Sequence, residues 1–236
     1  MNPRAFNYFG SKVSNAQKYP RPRYATIIEP FAGGAGYSLL HWLSTVILLD
    51  KNPDVIRGWK YLIDTAPDDI RRLPLLKKDQ LVSQLNCEQE AKIMIGWCCH
   101  MTVYPSNKLS NWGEENNEKG AGGYWGKSRR EQMALIAKKV KHWTARIRDY
   151  REIDNIEATW FIDPPYTRGG EHYTYSNRDI DFDELAVWCR SRKGQVIVCE
   201  RADATWLPFR PLYTMPTMDA QSGSRGETVE GIWTND

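Results

Sequence analysis

The chain has 236 residues, 41% of them hydrophobic and 26% charged, with a formal net charge of +3. That length and apolar share suffice for a sizeable core in one large domain, or one domain carrying an insertion, and they exclude a disordered chain. No run of eighteen or more apolar residues occurs, and the N-terminus MNPRAFNYFGSK lacks an apolar centre. No membrane span or signal peptide is therefore expected, and the chain reads as a soluble cytoplasmic protein. The five cysteines, Cys87, Cys98, Cys99, Cys189 and Cys199, form no C-x-x-C pair, which fits reduced thiols better than disulfides or a metal centre.

In chain order, YATIIEPF is a short apolar run ending at Glu29, AGGAG is a glycine turn, YSLLHWLS has helical character, and TVILLD is a β-rich run ending at Asp50. This is a β-α-β unit. From about Val55 to Asp154 the pattern changes to helices and a polar loop, Pro105 to Lys127, longer than an ordinary connection. Ser128-x-x-Glu131 reads as a capping box opening a helix whose apolar positions, Met133, Ile136, Val140, Trp143, Ile147 and Tyr150, keep three/four spacing. Between Lys119 and Arg151 the basic residues outnumber Glu131 and Asp149 by about +8, the usual footprint of a polyanionic partner. Lys127, Arg129, Arg130, Lys138 and Lys139 are its candidate contacts, although a solvated helix face explains such charges equally well. The last third resumes the alternation: ATWFID is a strand, DFDELAVWCRSRKG a helix capped by Asp181-x-x-Glu184 and stopped by Gly194, QVIVCE a strand, and ETVEGIWTND a final strand. Parallel strands joined by right-handed helical crossovers are expected, giving an open α/β sheet covered on both faces.

Ligands of such sheets bind at the carboxyl ends of the strands. The loop EPFAGGAG lets backbone approach a ligand closely, but it departs from a dinucleotide fingerprint because Leu39 stands where a third small residue belongs. Asp50, about twenty residues beyond the first strand, stands where an acid accepts ribose hydroxyls. Together they suggest an adenosine-containing ligand without requiring a pyrophosphate. In Asp163-Pro164-Pro165-Tyr166 the prolines fix φ and remove donors, presenting the Asp163 carboxylate and Pro164 carbonyl as rigid acceptors. Such a pair suits a planar amine, with Tyr166 stacking on its ring for roughly 1–3 kcal/mol. The plainer alternative is a strand stopped by a Pro-Pro turn. In the following loop, TRGGEHYTYSN, Arg168, Tyr173 and Tyr175 offer contacts to phosphate or base, and ordinary surface chemistry explains them equally.

These stretches, with the N-terminal RAFNYFGSK, resemble the catalytic, cofactor and N-terminal motifs of the Dam-like (D12 class) adenine-N6 DNA methyltransferases, in the alpha order of that group. The resemblance covers both ends of the core, about half the chain, and DPPY is its specific part. It implies a Rossmann-like S-adenosylmethionine-dependent methyltransferase sheet built from residues 1–54 and 155–236, with a helical target-recognition insertion at 55–154. It also implies that Tyr8 and Lys12 line the cofactor pocket, that Phe31, Gly33, Gly34 and Gly36 lie against the methionine part, and that Asp50 takes the ribose. Asp163 stands between cofactor and target, and Asp163, Pro164, Pro165 and Tyr166 act on an adenine flipped from double-stranded DNA, with no covalent enzyme intermediate and no metal. The basic residues above and Arg168 are then DNA contacts. The chain departs from the family where VYPSNKLSNWGEENNEKGAGGYWGK replaces the Asn-Arg…Gly-x-Phe-Asn recognition pattern, so a sequence preference does not carry over. Cytosine-N4 methylation is the alternative chemistry, disfavoured by Asp rather than Ser at the head of the tetrapeptide. RNA or protein methylation, a non-catalytic DNA-binding module and a nicotinamide-dependent dehydrogenase also compete; the dehydrogenase leaves DPPY unexplained.

Overall fold

The apolar runs pair into one sheet. The computed structural model describes residues 4–117, 123–218 and 225–235, and Lys119, with the middle of the polar loop, lies outside them. The strands are β1 (Thr26–Glu29), β2 (Thr45–Asp50), β3 (Thr144–Ile147), β4 (Ala158–Ile162), β5 (Gly194–Arg201), β6 (Arg210–Met218) and β7 (Arg225–Thr234), in the order β3-β2-β1-β4-β5-β7-β6. From β3 to β5 every pairing is parallel. The alternation of each strand sends its side chains to two separate cores: Ile27, Phe161 and Ile197 to one, Ile28, Trp160 and Val198 to the other. β4, central and covered on both faces, is buried throughout, as parallel strands are.

Three expectations are corrected. The sheet is not wholly parallel: β7 lies antiparallel between β5 and β6. Only six residues separate the ends of β6 and β7, far too few for the crossover that parallel pairing requires. β6 carries Pro211 and Pro216, which suit its place at the edge of the sheet. Second, the helix expected to run from Ser128 to Tyr150 is α6 (Lys127–Lys139), and Thr144–Ile147 leaves it to pair with β2 as the opposite edge strand. The capping box does not form. Gly126 is the N-cap, and the Glu131 carboxylate instead takes a two-pronged contact from Arg71 at 2.7 and 2.8 Å. Third, Gly194 opens β5, and α7 (Phe182–Ser191) has already ended; its Asp181 cap does form, accepting from the amides of Asp183 and Glu184.

The remaining helices are α1 (Gly36–Leu40), α2 (Pro53–Asp64), α3 (Pro67–Arg72), α4 (Gln89–Trp97) and α5 (Asn111–Asn117). α1 connects β1 to β2 and α7 connects β4 to β5, so the chain leaves the neighbouring strands β1 and β4 in opposite directions across the sheet. A crevice opens at such a reversal, above the carboxyl ends of both strands. Among the described residues no helix is long and apolar enough to cross a membrane, and no cluster of His, Cys, Asp and Glu could hold a metal ion.

Candidate active site

The crevice is a cleft of about 390 Å³ whose wall includes Tyr8, Lys12, Phe31, Gly33, Gly34, Gly36, Asp50, Asp163, Pro164, Pro165 and Tyr166. Residues 155 positions apart in sequence thus share one cavity, of the size typical for a small ligand.

Its first half is built on the loop after β1. Gly33 has φ +42° and Ala35, a residue with a side chain, also takes a left-handed φ of +43°; such backbone costs roughly 1–2 kcal/mol outside glycine and marks a site where geometry is imposed. The loop is held from three sides. The Gly33 amide donates to the Asp50 carboxylate at 3.0 Å, the Trp59 indole donates to the Gly33 carbonyl at 2.9 Å, and a Cβ on Gly33 would lie 2.9 Å from the Tyr8 ring. At Gly34 an added Cβ would lie 2.7 Å from Ser11 Oγ, a buried hydroxyl with no hydrogen-bond partner. At Gly36 it would strike the Val13 amide and lie 2.8 Å from the Lys12 carbonyl carbon, backbone that has no side-chain freedom to give way. Gly36→Ala is accordingly expected to destabilise the protein by about 1–3 kcal/mol and to part the loop from Lys12. Thermal denaturation against the wild type checks this, and an unchanged midpoint would contradict it.

Asp50 also accepts the Asn52 amide at 2.8 Å, and burial pushes its carboxyl up to about 6 against the pull of the Asn52, Gly33 and Lys51 amides. Burial likewise pushes Glu29 up to about 8, opposed by the Ser38 amide that donates to it at 2.9 Å.

The second half is built on the turn after β4. Lys12 Nζ donates to both Asp163 oxygens at 2.7 and 2.9 Å and to the Gly10 carbonyl at 3.2 Å, and lies 4.8 Å from the centre of the Tyr166 ring. Burial disfavours the ammonium, but Asp163 first and Glu230 next outweigh it and hold the Lys12 pKa above the ordinary lysine value. Two carboxylate oxygens offer about four acceptor sites, so Asp163 keeps acceptor capacity beyond Lys12. The turn itself is pinned by neighbouring segments: Glu200 accepts the Thr167 amide at 3.0 Å, and the Asn177 side chain donates to the carbonyls of Tyr166 and Thr167 at 3.1 and 2.9 Å. Burial, then Asp163, push the Tyr166 phenol well above its usual range, so it stays a neutral donor. Tyr173 reaches back across the cleft, its hydroxyl donating to the Phe9 carbonyl at 3.1 Å.

The basic segment is placed differently from the sequence reading. Arg129 is only 3% exposed; its guanidinium donates to the Ala5 carbonyl, the Asn7 side chain and Gln132, clasping α6 to the N-terminal motif. It is a structural clamp and not a surface contact. Arg130 donates to the Leu73 carbonyl and Lys139 lies over Trp42, while Lys127 and Lys138 are exposed. None of these residues lines the cleft. Besides Lys12, the cations that do are Lys51, Arg148, Arg151, Arg168 and Arg201. Lys51 and Arg151 share the half-buried Asp149, which Arg151 grips through two contacts at 2.8 Å, while Arg168 and Arg201 share the exposed Asp203 in pairs of the kind that hold weakly.

Among the lining residues that escaped the sequence reading are Ser11 and Glu230. Ser11 carries no signal there, being one polar residue between a glycine and a lysine. Glu230 carried one: it shares a strand face with Ile232, so an acid stands where alternation calls for an apolar residue.

The sequence matches the model of the D12 class N6 adenine-specific DNA methyltransferases over residues 8–193. No curated protein matches it. Among solved structures it is similar to a Thermoplasma acidophilum protein, with 12% identity, a TM-score of 0.37, and coverage of 88% of this chain and 76% of that one. It is also similar to a Pyrococcus horikoshii protein to which RNA methyltransferase activity has been ascribed, with 11% identity, a TM-score of 0.35, and coverage of 89% and 73%. The family model spans well over half of the sequence and takes in the glycine loop, Asp50 and DPPY, so the chain belongs to the D12 class of N6 adenine-specific DNA methyltransferases.

Proposed function

We propose that the first half of the cleft holds S-adenosylmethionine and the second half the target adenine, with Asp163, Pro164 and Tyr166 orienting the amine. The observation that carries this reading is the convergence of Asp50, the glycine loop and Asp163 on one cavity. The residues fit the cofactor. Ser11 Oγ is a buried hydroxyl without a partner, Gly34 brings its backbone so close that a Cβ would lie 2.7 Å from that oxygen, and Asp50 keeps acceptor sites beyond its two amide bonds. Gly33 to Gly36 with Ser11 would hold the methionine part, and Asp50 the ribose hydroxyls.

When bound, S-adenosylmethionine supplies an electrophilic methyl group. The chain's own residues orient the nucleophile. The two hydrogens of the adenine amine are accepted by the Asp163 carboxylate and the Pro164 carbonyl, which fixes the nitrogen's lone pair in one direction. Lys12 sets the carboxylate, and Tyr166 stacks on the base. Asp163 is the nearest acceptor for the proton the amine loses on methylation. DNA lies across the cleft mouth, where phosphates exchange for Asp149 and Asp203 as partners of the rim cations. The backbone of Thr102 pairs with that of Phe9 and Asn7 beside the cleft, and we assign the helical insertion to which Thr102 belongs to target recognition.

Two measurements test the cofactor half. S-adenosylhomocysteine at about 100 times its Kd stabilises a protein that binds it by about 2.7 kcal/mol, so the melting temperature rises; no rise would contradict the reading. The second is pH dependence. Asp50 has a raised folded-state pKa, so its protonation favours the ligand-free fold; that contribution is complete below the ordinary aspartate range and lost as pH rises through about 6. Ribose hydroxyls favour the ionised form. Affinity for S-adenosylhomocysteine is therefore expected to fall about tenfold from pH 7.5 to pH 5, and Asp50→Asn to flatten the profile. Calorimetric titration across that range checks both, and an unchanged wild-type profile would remove Asp50 from the ribose site.

A further inference from the structure

Beneath the DPPY turn lies a charged network that amine orientation alone does not explain. Glu230 sits on β7, beyond the residues matched by the family model, and its side chain is 1% exposed. Burying a carboxylate costs several kcal/mol unless it is well paired, so a purely structural position here would be served more cheaply by an apolar side chain. Glu230 is instead a point of convergence. Its Oε1 accepts the Tyr166 hydroxyl at 2.5 Å and the Tyr19 hydroxyl at 2.6 Å, lengths typical of hydroxyls donating to a charged carboxylate, and lies 3.8 Å from Lys12 Nζ. Its Oε2 is buried without a partner. Lys12 in turn binds both oxygens of Asp163. Glu230 thus touches the far end of the ring that stacks on the base and the ammonium that aims the carboxylate.

We infer that Glu230 is a positioning residue for methyl transfer, fixing the plane of Tyr166 through its hydroxyl while sharing Lys12 with Asp163, so that ring and acceptor are set together before the base arrives. The inference rests on the roles proposed above for Asp163 and Tyr166. Tyr166 is tethered at its backbone by Asn177 and at its hydroxyl by Glu230, which leaves the ring little freedom about its χ angles. Preorganisation of this kind acts on the chemical step, because small misplacements of an aligned nucleophile are costly in rate. A residue that merely held the fold together would lower stability and affect binding and turnover alike.

The test compares wild type, Glu230→Gln, Tyr166→Phe, the double variant and Asp163→Asn in single-turnover methylation of duplex DNA, with S-adenosylhomocysteine affinity measured on each. Each of the first two single variants is expected to slow methyl transfer by about 10- to 100-fold, the range set by a hydrogen bond to a charged group, with DNA and S-adenosylhomocysteine affinities held within about twofold. Glu230→Gln keeps an acceptor for the Tyr166 hydroxyl but removes its charge, and Tyr166→Phe removes the donor, so both act on one contact and the double variant should lose less than the product of the two single losses. A rate within about twofold of wild type in either single variant overturns the inference, as do losses that multiply in the double variant. Should Glu230→Gln not fold, Tyr166→Phe decides alone by the same criteria of rate and affinity. If Asp163→Asn keeps the wild-type rate, the amine-orienting reading falls and takes this inference with it; if Asp163→Asn is inactive and Glu230→Gln is not impaired, this inference alone falls.

Discussion

Asp163→Asn is expected to lower kcat by about 10²–10³-fold, the loss seen when one preorganised electrostatic contact to a reacting group is removed. The asparagine keeps an acceptor oxygen and the shape of the turn, but it replaces a charge with a dipole. It also places an amide NH₂ where Lys12 Nζ now donates at 2.7 and 2.9 Å, so half of that contact becomes donor against donor. Either way the amide turns, one of its neighbours, Lys12 or the substrate amine, faces a donor. S-adenosylhomocysteine affinity should change little, because the glycine loop, Ser11 and Asp50 are untouched. Steady-state methylation of duplex DNA and calorimetry check the two halves separately. Near-normal turnover would show that orientation of the amine lies elsewhere.

Lys12→Met is expected to be the most destabilising single change at the site, by about 3–5 kcal/mol, because it strands buried charge in place of a pair. Lys12 is 9% exposed at its side chain, Glu230 is 1% exposed, and Asp163 is 19% exposed. Without the ammonium the two carboxylates face each other across a low-dielectric space. Proton uptake by Glu230 then relieves the pair, and its carboxyl, already pushed up by burial, rises further once Lys12 no longer opposes that shift. The sign follows: stability of the variant should be greatest in acid and fall as pH rises, so its deficit against wild type widens from pH 5 to pH 8. In the wild type the raised Lys12 pKa keeps the lysine contribution complete through that range and loses it only in alkali. Denaturant unfolding at both pH values measures the difference, and a deficit that narrows towards pH 8 would contradict the pairing.

The parts of the fold that were legible in the sequence are those whose signals are local. β1, β2, β4 and β5 are apolar runs bounded by turn residues, and Asp181 caps α7 with its own side chain. The corrections arise where distant chain decides. Thr144–Ile147 continues the helical spacing of α6, yet the open edge of β2 offers it backbone partners from Ile47 to Asp50, and pairing prevails over periodicity. The basic character of α6 is plain in the sequence, but composition does not reveal that Arg129 turns inward to grip Ala5 and Asn7, more than 120 positions away. At the site, Asp163 announces itself at a strand end before two prolines, and Asp50 at the end of the strand that follows the glycine loop. Glu230 does not. Its role depends on Tyr19, Tyr166 and Lys12 meeting beneath the turn, which follows from the antiparallel placement of β7 beside β5.

Methylation of the adenine amine in DNA by this cleft, through Asp163, is open to one direct measurement. Wild type and Asp163→Asn, each incubated with S-adenosylmethionine and fully unmethylated duplex DNA and then digested to nucleosides, test it together by mass spectrometry. N6-methyladenine is expected from the wild type, and about 1% of that yield or less from the variant in the linear phase. N4-methylcytosine in place of N6-methyladenine, no methylated base from the wild type, or equal yields from the two proteins would contradict it.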